Sequence, residues 1–354
     1  VIPLVLLGPG NVGGRFLDLF YDRVEDGVPI FRNVRVVAVF GSSWEKVNKS
    51  GITKSDWQSL LTKRVDVDTR ESDAGFTKLV DELIPPFVVV DTTASESIYD
   101  DLVLALRKGA YVISANKKPY TRKLSDYGAL IEHKNRIFAE TTVGAGLPIV
   151  GTIKGLVGAG DQVLSVEGCF SGTLGYIFSK LDEGYRYSEA VREAYTKKYT
   201  EPDPRDDLGG MDVARKALIL NRIIGGKIEL GEIAVEQLFP ESLQNTPVEE
   251  FLKRIEEYDE EMEKRVSEAG KRGMRLRYVA SVKKKKCEVG IREVDSKSDI
   301  GSLRGPDNIA VIGSKWYSER PLVIKGPGAG VEVTSGGVMM DLVKVLNILE
   351  ANCD

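Results

Sequence analysis

Apolar residues open the chain as an unbroken run, Ile2-Pro3-Leu4-Val5-Leu6-Leu7, the pattern of a strand buried on both faces of a sheet. A glycine turn, Gly8-Pro9-Gly10-Asn11-Val12-Gly13, follows at once. Phe16, Leu19 and Phe20 then predict a helix from Gly13 to about Asp22 with those side chains inward, and Val34 to Phe40 reads as the next strand. Further strands are predicted at Phe87–Asp91, behind a Pro85-Pro86 break, and at Ala110–Ser114, with a helix around Ser97 to Lys108 between them. This alternation predicts an α/β fold with a Rossmann-type, doubly wound parallel sheet.

After Gly144-Ala145-Gly146-Leu147-Pro148 the period changes. Helical patterns at 149–158, 174–182, 188–199 and 211–224 precede strands near 276–294, which predicts a second domain of α+β type. Charged residues fill Val248 to Lys271, with Phe251, Leu252, Ile255 and Met262 at roughly helical spacing, so this stretch reads as a surface helix. Near the carboxyl end, Gly326-Pro327-Gly328-Ala329-Gly330 precedes Thr334-Ser335-Gly336-Gly337, and Val338 to Leu349 reads as a terminal helix.

A chain of 354 residues exceeds what one hydrophobic core usually serves, in keeping with two domains. No apolar run approaches the roughly 20 residues of a membrane-spanning helix, so no membrane partner is expected. Balanced charge, 49 basic against 53 acidic residues, gives no electrostatic reason for a nucleic-acid partner. Lys283 to Lys286 reads as a solvated hairpin turn, and small molecules are the expected partners. Cys169, Cys287 and Cys353 are too widely spaced for a disulfide framework or a zinc site and suit a reducing, cytoplasmic setting. Val1 is not methionine, which leaves an upstream organelle address open. The single histidine, His133, excludes His-rich metal chemistry.

Gly8, Gly10 and Gly13 fill G-x-G-x-x-G between a strand and a helix, a pattern whose missing Cβ atoms let backbone amides approach a pyrophosphate. NAD sites usually end the second strand with a carboxylate for the ribose 2′-hydroxyl. Here Phe40-Gly41-Ser42-Ser43 has none, while Ser42, Ser43 and Lys46 can donate to a 2′-phosphate; NADP, or use of both cofactors, is expected. Asp91-Thr92-Thr93-Ala94-Ser95 reads either as a polar turn before the next helix or as a nicotinamide-side contact through Thr93 and Ala94. Ser114-Ala115-Asn116-Lys117-Lys118-Pro119 ends another strand, where Lys117 either points into the crevice or is simply solvated. Finally, Glu201 to Lys216 concentrates acid. Glu201, Asp206, Asp207 and Asp212 suit a cationic ammonium, with Lys216 giving or taking the proton of a substrate hydroxyl, which points to an amino acid bearing an alcohol. The plain alternative for Asp212 and Lys216, four apart, is an ion pair. A calcium loop would need a different alternation ending in glutamate at its twelfth position.

With these residues assembled, the chain resembles the homoserine dehydrogenase family, in its short, monofunctional, fungal-like form. The resemblance rests on GPGNVG at Gly8–Gly13, SANKKP at Ser114–Pro119, AETTVGAGLP at Ala139–Pro148, FSGTLGYIF at Phe170–Phe178, EPDPRDDLGGMDVARK at Glu201–Lys216 and GPGAG at Gly326–Gly330. It implies NAD(P)-dependent interconversion of L-homoserine and L-aspartate 4-semialdehyde, in threonine, methionine and isoleucine biosynthesis. Lys117 and Lys216 would be catalytic; Glu201, Asp212, Asp207 and Thr173 would bind substrate. The cofactor would meet Gly8, Gly10, Asn11, Val12, Gly13, Thr93, Ser114, Lys117 and Gly330. A monovalent cation, sodium, would be held by Glu140, Val143, Ala145 and Leu147. The implied division is a nucleotide-binding domain over 1–147, completed by 328–354, and a catalytic and dimerisation domain over 148–327, with a homodimer joined through the latter's sheet. Two departures stand out. Ser171-Gly172-Thr173-Leu174-Gly175-Tyr176 replaces the asparagine-rich NGTxNY of many bacterial relatives, and no residues follow Asp354 for an ACT domain, so threonine feedback through one is not expected; nor is a kinase segment visible before Val1. Two rivals remain: aspartate-semialdehyde dehydrogenase, which needs a cysteine nucleophile, and a non-catalytic NADP-binding sensor.

Overall fold

Leu4, Val5, Leu6 and Leu7 are at most 1% exposed because their strand, β1 (Ile2–Leu7), has neighbours on both sides of a seven-stranded sheet. The computed structural model describes residues 1–63, 68–69 and 74–351, and the chain divides into two units, 1–146 with 330–354, and 147–329.

The sheet of the first unit consists of β1, β2 (Val34–Phe40), β3 (Trp44–Val47), β4 (Asp68–Thr69), β5 (Val88–Asp91), β6 (Tyr111–Ser114) and β7 (Ile137–Phe138), in the order β4-β3-β2-β1-β5-β6-β7. Five strands run parallel. β3 and β4 are an antiparallel edge, a departure from the all-parallel expectation. Its cause is local: Gly41-Ser42-Ser43 is all that separates β2 from β3, whereas a parallel crossover needs roughly a dozen residues. Strand order reverses beside β1, which opens the ligand crevice typical of such sheets at the strands' carboxyl ends. The helices are α1 (Asn11–Glu25), α2 (Lys54–Lys63), α3 (Ala74–Glu82), α4 (Ile98–Arg107), α5 (Leu124–Ile131) and the single turn α6 (Thr141–Gly144). On α1 the buried stripe is Gly13, Phe16, Leu17 and Phe20. Leu19, expected inward, is only half-buried, because Leu17 completes the i, i+3, i+4, i+7 row and position 19 falls beside it.

In the second unit α7 (Ile149–Gly158), α8 (Gly172–Asp182), α9 (Tyr187–Thr196), α10 (Arg205–Leu208), α11 (Met211–Ile223), α12 (Val248–Arg254) and α13 (Asp259–Lys271) accompany a six-stranded sheet. Its strands, β8 (Val163–Cys169), β9 (Ala234–Val235), β10 (Met274–Lys283), β11 (Lys286–Asp295), β12 (Asp307–Ser314) and β13 (Leu322–Pro327), lie in the order β13-β12-β8-β10-β11-β9. Lys283 pairs with Lys286 across the β10–β11 hairpin, so the lysine run is an exposed turn. The single surface helix expected over 248–271 is instead α12 and α13 joined by a 3-10 turn at Ile255–Tyr258. Phe251, Ile255 and Met262 are fully buried, and Asp259, at the bend, accepts from the Ser188 N–H and hydroxyl at 2.7 and 2.8 Å. Those ties to α9 turn the segment where a straight helix would carry it away.

The chain then returns to the first unit as α14 (Val331–Ala351). This helix starts seven residues before the expected Val338 and absorbs Thr334-Ser335-Gly336-Gly337. Small residues serve close packing there: a Cβ on Gly337 would overlap Thr141 of α6, and the Ser335 hydroxyl donates to the Val12 carbonyl at 2.9 Å.

Candidate active site

Each unit carries one cluster of the residues singled out above. In the first, the glycine turn connects β1 to α1 and borders a cleft of about 830 Å³, within the usual range for a small-molecule or cofactor site. Gly8 has φ +83°, and a Cβ on Gly13 would overlap the Gly8 carbonyl and the Thr92 hydroxyl; these two glycines are required by the turn itself. Gly10 differs. Nothing lies within 4 Å of where its Cβ would be, so the space above it is open. Helix α1 begins there with no side-chain cap and no acidic residue in its first turn, a helix start of the kind that can receive an anion on its backbone N–H groups. Those features fit a dinucleotide pyrophosphate. Phe40, Gly41, Ser42, Thr93 and Ala94 also line the cleft. The carboxylate nearest in sequence after β2, Glu45, packs against Gly75 of α3 and does not line it.

At the floor of this cleft, the Asp91–Ser95 turn is held by polar contacts to the strand end that precedes it. Thr93 lines the cleft, while its N–H and hydroxyl donate to Asp91 Oδ1 at 2.9 and 2.7 Å. Ser114 is buried and its hydroxyl donates to Asp91 Oδ2 at 3.1 Å. Lys117 follows as the residue before a 3-10 turn, Lys118–Thr121. Gly330, at φ +121°, opens α14 and accepts from the Thr334 N–H at 3.1 Å.

In the second unit, the acidic loop, α8 and α11 meet. Ser171 caps α8 through its hydroxyl, and Thr173 in the first turn donates to the Tyr199 carbonyl at 2.5 Å. Asp207 accepts the Glu201 N–H at 2.8 Å. Burial pushes the Asp207 carboxyl up to about 6 against the pull of that N–H and of Thr173, with the charges of Glu201 and Asp212 adding to the rise. Lys216 Nζ lies 2.8 Å from Asp212 Oδ2, so the expected ion pair forms, and it also donates to the Phe170 carbonyl at 2.6 Å. Thr173, Glu201, Asp207, Asp212 and Lys216 thus form one constellation. Asp206 is exposed on α10. Asp203 is committed to Arg205, whose guanidinium also holds the carbonyls of Leu243, Gln244 and Thr246 at 2.6–3.0 Å.

Glu140 is 2% exposed and lies 3.3 Å from Lys344 Nζ, while its N–H donates to Asp341 at 3.0 Å. Val143 sits in α6, and Ala145, at φ +52°, reverses the chain just before Leu147. Among the described residues no group of three or more His, Cys, Asp or Glu side chains is placed to hold a metal.

Sequence reasoning assigned no role to Asp91, Asn116 or Arg205. The first had a signal, an acid ending an otherwise apolar strand before two threonines; the other two had none, because their partners are distant carbonyls or belong to neighbouring turns.

Fold and cleft together define a dinucleotide-binding protein with a second, α+β unit. A family model described as "Homoserine dehydrogenase" matches residues 148–343, and one described as "Homoserine dehydrogenase, NAD binding domain" matches 8–140. The chain is 40% identical over 279 residues to a homoserine dehydrogenase of Emericella nidulans, covering 74% of this chain and 76% of that protein. The chain belongs to the homoserine dehydrogenase family. It is also 38% identical over 356 residues to a chloroplastic bifunctional aspartokinase/homoserine dehydrogenase of Arabidopsis thaliana, spanning 98% of this chain but only 39% of that relative. A crystal structure of a Candida auris protein of unknown function superimposes with a TM-score of 0.88 at 32% identity, covering 98% of both chains. A hyperthermophilic archaeal homoserine dehydrogenase in complex with NADPH shares the fold, at TM-score 0.72 and 23% identity over 97% of each chain.

Proposed function

We propose that this protein interconverts L-homoserine and L-aspartate 4-semialdehyde with NADP or NAD, within the synthesis of threonine, methionine and isoleucine. The observation that carries the reading is the Lys216 ammonium, held by Asp212 and the Phe170 carbonyl, with Asp207 in turn feeling the charges of Glu201 and Asp212. A bound nicotinamide would supply or accept the hydride. Everything else falls to the chain. Glu201, Asp207 and Asp212 attract the substrate's α-ammonium, and Thr173 lends its hydroxyl beside Asp207. In the reducing direction Lys216 Nζ gives a proton to the oxygen that becomes the hydroxyl; in the oxidising direction it takes that proton. Lys117 is proposed as a further catalytic residue. Gly8, Gly10, Asn11, Val12 and Gly13 hold the pyrophosphate, with Thr93, Ser114, Lys117 and Gly330 as further cofactor contacts. The absence of an acid among Phe40-Gly41-Ser42-Ser43 supports NADP or dual use.

The test is turnover of homoserine with each cofactor in the wild type, Lys216→Ala and Lys117→Ala. A fall of about 100-fold or more in kcat with cofactor binding retained is expected for Lys216→Ala. Full activity in that variant would remove Lys216 from the chemistry. Buried thiols speak against a cysteine-nucleophile alternative: burial pushes Cys169 up to about 12 and Cys287 up to about 11, the opposite of an activated nucleophile, and Cys353 lies outside the described residues. Free thiols at Cys169 and Cys287 also suit a cytoplasmic setting.

A monovalent cation, sodium, is proposed at Glu140 with main-chain oxygens of Val143, Ala145 and Leu147. The last carbonyls of a one-turn helix have no partner within it, and a hard cation suits such oxygens. A homodimer is proposed through the second unit's sheet. Register places Glu167, Ser281, Val311 and Val323 on one face, where Glu167 is exposed and the others half-buried.

A further inference from the structure

Asp91 ends β5 between Leu7 of β1 and Ser114 of β6, and it is 0% exposed. An Asx turn would need only one of its oxygens, the one that takes the Thr93 N–H and hydroxyl. Its second oxygen reaches the neighbouring strand instead, accepting the Ser114 hydroxyl at 3.1 Å. Asn116 closes the circuit. Its Nδ2 donates to Thr93 Oγ1 at 3.1 Å and to the Ser95 carbonyl at 2.8 Å, while its N–H donates to Ser114 Oγ at 3.2 Å. Thr92, one residue on from Asp91, donates from its hydroxyl to the Gly8 carbonyl at 2.7 Å. The turn bearing Thr93 and the turn bearing Lys117 therefore meet at one buried carboxylate whose partners are neutral donors, with the glycine turn tied on beside it through Thr92. Burial pushes that carboxyl up to about 6 despite those donors, so the fold tolerates an unfavourable group at this point.

We propose that Asp91 is a positioning residue for hydride transfer: its carboxylate fixes the turn of Thr93 and the turn of Lys117 in one register, and it acts on the reaction only through them. The role in catalysis rests on the homoserine dehydrogenase reading above; the coupling of the two turns does not.

Two measurements on Asp91→Ala and Asp91→Asn separate these layers. Steady-state kinetics with homoserine should show kcat lowered about 10- to 100-fold in Asp91→Ala, KM for homoserine changed by less than about 3-fold, and a larger primary deuterium isotope effect as hydride transfer becomes limiting. Asp91→Asn, which keeps one acceptor oxygen, should fall between Asp91→Ala and the wild type. A purely structural role would lower kcat only in proportion to the folded fraction and leave the isotope effect unchanged, which would overturn the proposal. Hydrogen exchange followed by mass spectrometry needs no activity. Peptides covering 92–97 and 114–121 should exchange faster together, with 163–169 unchanged. Faster exchange in one turn alone, or in neither, would overturn the coupling. If Asp91→Ala does not fold, Asp91→Asn carries both readouts, and a wild type inactive on homoserine defeats the activity assignment while leaving the exchange result decisive for Asp91.

Discussion

Asp207, proposed above as a substrate-binding residue, would link binding to pH. Its carboxyl is raised to about 6 in the fold, from 3.8 when free, chiefly by burial. In that role it would attract an ammonium only when ionised, so kcat/KM for homoserine should rise with pH through about 6, and Asp207→Asn should flatten that limb and lower the plateau about 10-fold or more. A pH–rate profile checks this; an unchanged acid limb in the variant would remove Asp207 from substrate binding. Stability moves the other way. Because the folded carboxyl holds its proton more tightly than the unfolded one, stability from this group is greatest below about pH 4 and is lost as pH rises towards 6. Residues of this kind were only partly legible in the sequence. Lys216 and Asp212 announced themselves by i, i+4 spacing, whereas the separate duties of Asp203 and Asp207, four apart in one acidic loop, depend on which of them meets Arg205 and which the Glu201 N–H.

Among the elements, those with a local cause were readable. β1, the glycine turn and α1 follow from an apolar run, missing Cβ atoms and a helical stripe. Elements decided by distant packing were not: the bend between α12 and α13 depends on Ser188 of α9, and the early start of α14 depends on Thr141 and Val12. The short helix α6 poses a sharper question. Lys344 of α14 already faces Glu140, so a cation bound there would share its carboxylate with an ammonium. Removing that competitor with Lys344→Met should lower the sodium concentration giving half-maximal activity, roughly 10-fold, the scale of one altered ligand-supporting contact. Assays with choline as the sodium replacement measure it, and full activity without sodium in both proteins would defeat the cation assignment.

For the whole molecule, the strand–helix alternation and its change after Pro148 anticipated an α/β unit and an α+β unit. Antiparallel β3 and β4, and the strands beyond β10 and β11, were hidden because half of their residues are polar or lie at edges. The partly exposed face of the second sheet bears on assembly. If it joins two copies, light scattering should give twice the chain mass, and Val323→Lys, which places a charge in that face, should shift the protein towards monomer. A monomeric wild type would contradict this interface.

Most directly, the account is tested by the appearance of NADPH or NADH absorbance when the wild-type protein meets L-homoserine and the oxidised cofactor, with L-serine and L-threonine as controls. Absorbance rising with homoserine and staying near baseline with the controls is the expected result. No rise with homoserine and either cofactor, in a protein that binds the cofactor and contains sodium in its buffer, would contradict it.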